Sequence, residues 1–290
     1  VQLWHGTPLK QVIYQDTKEH IKKELLLKRK LSVFFPFLRK EVDFTRTFVS
    51  AASDDVKVMF SKVFNTDNIW VTGFPRNDSF YKDVSKMNLD IQKKLAKYKD
   101  DGFNLVCYLP TYRLTGFDIM SNLNKNIDFI NEEYKKLKAM FILKPHYLQL
   151  KKFLAENEQN KNSFSNILFL NDQEIQQDLY SILPFIDTLI TDYSSVFFDF
   201  LLLNRPIVFT PFDKEDFITI NGELLYNYDE VTPGPKAYDW EETIKYIEEA
   251  IKYPEKYQKE REIINNRFNK YHDGNSCKRT TEEIIKYLNN

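Results

Sequence analysis

From about Ser85 onward the chain alternates short apolar runs with longer amphipathic stretches, and few architectures accept that pattern. The apolar runs are Asn104 to Leu109, Met140 to Leu143, Ile167 to Leu170, Thr188 to Thr191 and Pro206 to Thr210. Between them lie helical stretches such as Ile127 to Leu137 and Glu174 to Leu183. Apolar strands separated by helices form a parallel sheet covered on both faces, so the fold class is α/β.

Upstream, Thr47-Phe48-Val49-Ser50 and Asn68-Ile69-Trp70-Val71-Thr72 read as two more strands. They flank a helix opening at Ser53, a residue type favoured at N-caps. Val1-Gln2-Leu3-Trp4 reads as a strand already under way, which predicts further sequence upstream. The tail from Trp240 to Leu288 reads as charged helix broken at Pro254.

Polar motifs sit where the apolar runs stop. They are Trp4-His5-Gly6-Thr7-Pro8, Pro110-Thr111-Tyr112-Arg113, Lys144-Pro145-His146 and Thr191-Asp192-Tyr193-Ser194-Ser195. In open α/β sheets ligands bind beyond the carboxyl ends of the strands, so this placement gathers a phosphate-handling set of side chains around one mouth. Ser194 and Ser195 precede the apolar run Val196-Phe197-Phe198-Asp199-Phe200-Leu201, so a helix start there would offer free N–H groups to an anion. In isolation the same residues make an ordinary helix cap, with Asp192 as cap or as orienter of a donor. Arg113 offers a fork suited to phosphate, and alone it would be a surface ion-pair partner. His146 could donate to a pyrophosphate oxygen, while His5 could take a proton from an attacking hydroxyl. Gly6 permits close backbone approach, and Pro8 suits a helix start.

Several chemistries are excluded or unsupported. The charge of -1 gives no overall electrostatic case for nucleic acid as a partner. There is no P-loop and no nucleophile elbow. Cys107 and Cys277 lack metal-ligand spacing, so neither metal nor cofactor is expected. No apolar run reaches the roughly 20 residues of a membrane-spanning helix.

Taken in order, these motifs resemble the CDP-glycerol glycerophosphotransferase family, which includes the teichoic acid polymerases and primases of Gram-positive bacteria and related capsule polymerases. The likeness extends through Gly73-Phe74-Pro75-Arg76-Asn77-Asp78, Arg205-Pro206, Pro211-Phe212-Asp213, Pro233-Gly234 and His272-Asp273-Gly274. It implies a GT-B-like fold with two Rossmann-like domains. Residues 1–84 would be the C-terminal part of the acceptor-side domain, and 85–290 the CDP-donor domain with its C-terminal helices. The start of the acceptor domain would lie upstream. His5 is then the expected general base, and His146 assists the CMP leaving group. Arg113, Thr111, Lys144, Asp192, Ser194 and Ser195 are the expected donor and phosphate residues, with Asp192 ordering its loop. Gly6, Thr7, Arg76, Asn77 and Asp78 form a supporting loop.

The implied partners are CDP-glycerol or CDP-ribitol and a lipid-linked polyol phosphate acceptor. They place the protein peripherally on the cytoplasmic face of the membrane. A basic, aromatic segment from Lys18 to Lys40 fits an anionic leaflet as well as it fits a solvated face. One departure concerns Ile220-Asn221-Gly222, which stands where family members commonly carry an Arg-Gly pair.

Overall fold

The computed structural model describes residues 1–10, 47–83, 89–111, 113, 116–144, 164–170, 173, 175 and 178–289. Five parallel strands form the larger sheet: β3 (Asn104–Leu109), β4 (Ala139–Leu143), β5 (Ile167–Phe169), β6 (Thr188–Thr191) and β7 (Ile207–Phe209), in the order β5-β4-β3-β6-β7. The order reverses direction between β3 and β6, which opens a crevice at their carboxyl ends.

Alternation along each strand divides the core in two. Leu105, Cys107 and Leu109 of β3 face one buried cluster, while Val106 and Tyr108 face the other. The second cluster is closed by α3 (Ile119–Lys136) and α7 (Trp240–Lys252). Trp240 Nε1 donates to Asn122 Oδ1 at 2.8 Å, which fixes those two helices to each other.

A smaller parallel sheet pairs β1 (Val49–Ala51) with β2 (Ile69–Val71). Ser53 caps α1 (Asp54–Phe64) by accepting from the Val56 N–H, as its residue type predicts. The first apolar run contributes less strand than expected. Only Gln2 bridges to Val49, because Trp4, at φ +53°, turns the chain out of the sheet plane. The clusters on the β1–β2 unit and on one face of the large sheet are continuous, from Val49 and Phe60 to Leu105, Leu189 and Phe197.

The remaining helices are α2 (Asp90–Asp100), α4 (Val196–Phe200), α5 (Lys214–Asn221), α6 (Tyr228–Val231), α8 (Gln258–Phe268) and α9 (Ser276–Leu288). The helix expected over Glu174 to Leu183 is absent from its described part. Short 3-10 turns at Leu179–Ser181 and Leu183–Phe185 take its place. Asp178 binds the Tyr180 N–H and Pro184 supplies no donor, so the local bonding favours tight turns over a continuing helix.

The tail breaks near Pro254, as expected, and again at Asn269 to Asn275. After that second break α9 packs against the 3-10 segment Pro75–Tyr81 of the β1–β2 unit. Asp78 fixes the return by accepting from the N–H groups of Ser276 and Cys277, each at 2.8 Å.

Candidate active site

Strand register builds the first half of the mouth. Leu109 of β3 lies opposite Thr191 of β6, and Thr191 lies opposite Phe209 of β7. The residues just beyond those positions therefore emerge side by side. Asp192 Oδ1 accepts from the backbone N–H groups of Thr111 (2.8 Å) and Tyr193 (2.5 Å). Its other oxygen takes Arg113 Nη1 at 2.6 Å. Arg113 also forks onto Asp213, with Nε at 3.0 Å and Nη2 at 2.7 Å, and gives Nη1 to the Thr111 carbonyl.

Arg113 is thus not the open phosphate fork that the sequence suggests. Its side chain is 5% exposed and its plane lies over the rings of Tyr193 and Phe217, 5.2 and 4.8 Å from their centroids. Those rings stack at 4.0 Å. Burial opposes the guanidinium charge, but Asp192 and Asp213 outweigh it and raise the pKa. The physical reason is proximity: two buried carboxylates from neighbouring strand ends reach it before any ligand. Asp192 caps no helix; it orders the Thr111 and Tyr193 backbone.

The segment that begins at Asp192 is gripped again seven residues on. Asp199 accepts from Arg76 Nη2 (2.5 Å), Asn77 Nδ2 (2.8 Å) and Tyr180 Oη (2.6 Å). Arg76 also packs over the Tyr180 ring at 4.6 Å. Between the two grips lie Ser194 and Ser195, both partly exposed, at the start of the single-turn α4. Neither side chain caps that helix.

The His5 to Lys10 loop spans both grips. Gly6, at φ +119°, rests against Arg76, and a Cβ there would come within 2.3 Å of Nη2. Further along, the Leu225 N–H bonds to the Leu9 carbonyl and Lys10 bridges to Leu224. Lys10 Nζ lies 6.0 Å over the Phe217 ring. Burial and Arg113 lower the Lys10 pKa against the opposing pull of Asp192. Thr7 is buried beneath the loop.

His5 is exposed on one side and packed against Trp4 on the other, the rings tilted by 32° with centroids 4.3 Å apart. Desolvation of the covered side, then the Arg76 and Lys10 charges, lower its pKa and favour the neutral imidazole. Thr111 Oγ1 is buried with no hydrogen-bond partner among the described residues. Lys144 follows β4 at the same rim. His146 and Tyr112 lie outside the described residues, as does the basic segment Lys18 to Lys40. Among the described residues no three metal-capable side chains converge on one point.

Three residues of the site carry weight that motif reading missed. Asp213 belongs to a quoted motif but assumes its role only through the β6–β7 register. Asp199 announces itself as a lone carboxylate inside an apolar run. Tyr180 gave no signal.

The chain matches the family described as CDP-Glycerol:Poly(glycerophosphate) glycerophosphotransferase over residues 1–286. It belongs to that family. Its members' chemistry is group transfer, so the protein is a transferase of the CDP-glycerol glycerophosphotransferase type.

Among its relatives is the teichoic acid poly(glycerol phosphate) polymerase of Bacillus spizizenii, 30% identical over 98% of this chain and 69% of that protein. A teichoic acid poly(ribitol-phosphate) polymerase of the same organism is 27% identical over 86% of this chain and 39% of that protein. The solved wall teichoic acid polymerase TagF superposes with a TM-score of 0.72 at 23% identity, covering 99% of this chain and 67% of that one. That likeness shows the GT-B-like fold of this glycerophosphotransferase family member.

Proposed function

We propose that this family member moves glycerol phosphate from CDP-glycerol to the terminal hydroxyl of a lipid-linked teichoic acid or capsular polymer, releasing CMP. Residues 85–290 bind the donor and residues 1–84 belong to the acceptor side. The observation that carries the reading is the position of His5. Its imidazole, whose pKa burial and the Arg76 and Lys10 charges lower, sits on a loop braced against both gripped ends of the Asp192–Asp199 segment, at the carboxyl ends of β3 and β6.

In this reading His5 Nε2 or Nδ1 takes the proton of the acceptor hydroxyl. The oxygen attacks the phosphorus nearest the glycerol, and the bond from that phosphorus to the CMP oxygen breaks. Such a transfer depends on orienting the nucleophile and neutralising phosphoryl oxygens rather than on a covalent intermediate. In this reading Thr111 Oγ1, Ser194, Ser195, Lys10 and Lys144 are the groups that meet the phosphates. Arg113 and Asp192 act beneath them by fixing the loop. His146, which follows β4 by three residues, assists the departing CMP.

The test is CMP release from CDP-glycerol and from CDP-ribitol with a lipid-linked glycerol phosphate acceptor, in the parent and in His5→Ala and His146→Ala. Turnover of CDP-glycerol that both substitutions abolish supports the reading. Turnover of CDP-ribitol alone selects the reading favoured by the ribitol-phosphate relative. No CMP from either donor in a folded protein overturns both.

No helix among the described residues is long and apolar enough to cross a membrane. We place the protein peripherally on the cytoplasmic face, docked through Lys22, Lys23, Lys28, Arg29, Lys30, Arg39 and Lys40 on an anionic leaflet.

A further inference from the structure

Transfer as described leaves one buried charge without a task. Asp199 has no exposed surface and sits in the apolar α4, where a carboxylate without partners would cost several kcal/mol. It has three donors, and two of them, Arg76 and Asn77, come from the segment that follows β2. The Arg76 guanidinium is partly exposed, its side chain 26% accessible, and is held by three contacts. Asp199 holds Nη2, the Tyr180 ring lies 4.6 Å from the guanidinium carbon, and Phe74 lies 5.5 Å from it.

The remaining edge touches Gly6. Glycine suits this approach: at φ +119° another residue would be strained, and its Cβ would stand 2.3 Å from Arg76 Nη2 and push the guanidinium aside. The peptide that carries His5 is therefore seated directly on a guanidinium whose position Asp199 dictates.

We infer that Asp199, acting through Arg76, is a positioning residue for His5: it fixes the guanidinium on which the peptide carrying the imidazole is seated, and so sets the loop at the mouth. The inference rests on the reading of His5 as the base. The charged groups facing His5 are Arg76 and Lys10, with Trp4 covering the ring; both cations and burial lower its pKa. Asp199 compensates Arg76 from the buried side, and Asp192 does the same for Lys10. A base with a lowered pKa is available to a lower pH than a free histidine.

Proton NMR titration of the whole chain tests this without reference to turnover. The chain has four histidines, and His5→Gln assigns the His5 ring signal. The decisive variant is Arg76→Gln with Asp199→Asn, which removes both charges and retains hydrogen-bonding groups on both sides. The His5 midpoint is expected to rise in this variant and to stay near the parent value in Arg76→Lys. CMP release from CDP-glycerol should then fall by about tenfold in kcat near pH 6 and by less near pH 8, with KM within about twofold.

An unmoved His5 midpoint in the folded double variant overturns the inference. If circular dichroism shows that variant unfolded, Gly6→Ala lifts the loop off the guanidinium and gives the same reading: a rise supports the role of Arg76, and no change refutes it. Because the titration follows the ring itself, failure of the CDP-glycerol reading would appear only in the CMP assay.

Discussion

Replacing Arg113 with Met separates a fold role from a ligand role. Methionine approximates the length of the arginine stem and keeps contact with Tyr193 and Phe217, so packing loss is small. What disappears is the charge between two carboxylates whose side chains are only 2% and 3% exposed. Removing one partner of a buried ion pair costs about 3–5 kcal/mol, and here two carboxylates lose their cation together. For a chain of this size each kcal/mol lowers the melting temperature by about 2–4 °C, so a fall of about 6–20 °C is expected.

Urea unfolding followed by fluorescence measures the same loss as a lower midpoint at constant slope. Restoring neutrality with Asp192→Asn and Asp213→Asn in the Arg113→Met background should recover much of it. The reasoning is refuted if Arg113→Met costs less than about 1 kcal/mol while CDP-glycerol binding is abolished, because the guanidinium would then be committed to ligand rather than to the strand ends.

Two further outcomes follow from the same geometry. Asp78→Ala strips the cap from α9 and should lower stability by about 1–2 kcal/mol in urea unfolding, with Asp78→Asn retaining part of it. For the pH profile of kcat/KM, the base must be neutral and the His5 pKa is lowered, so activity should persist below the ordinary histidine value of 6.5 and fall only as pH drops further. An acid limb centred above 6.5 would contradict the assignment.

Much of the α/β pattern was legible because buried parallel strands are short, apolar and bounded by turn residues: β3 and β6 have the limits that the apolar runs predict. The Ser53 cap was legible for the same local reason. What escaped was set by register and by distance along the chain. Nothing in the sequence around Arg113 says that Leu109, Thr191 and Phe209 end level, and that alignment is what delivers Asp192 and Asp213 to one guanidinium. Likewise, Asp199 inside an apolar run signals a buried partner, yet two of its three partners lie 122 and 123 residues upstream at Asn77 and Arg76. Glu174 to Leu183 misled because apolar spacing alone does not separate a helix from successive 3-10 turns when a side-chain oxygen competes for the first N–H.

The return of α9 to the β1–β2 unit has a mechanical consequence. Two lobes joined by one strand of chain can swivel and drift like beads on a cord. Here the chain leaves the β1–β2 unit after Tyr81 and rejoins it at Lys270, whose N–H bonds to the Ala52 carbonyl, and then at Ser276 and Cys277, which Asp78 anchors. Two crossings, together with the apolar core that runs from Val49 and Phe60 to Leu105 and Leu189, resist twisting and sideways slip. The second crossing thereby helps hold the loop that carries His5 in one relation to the β3 and β6 ends.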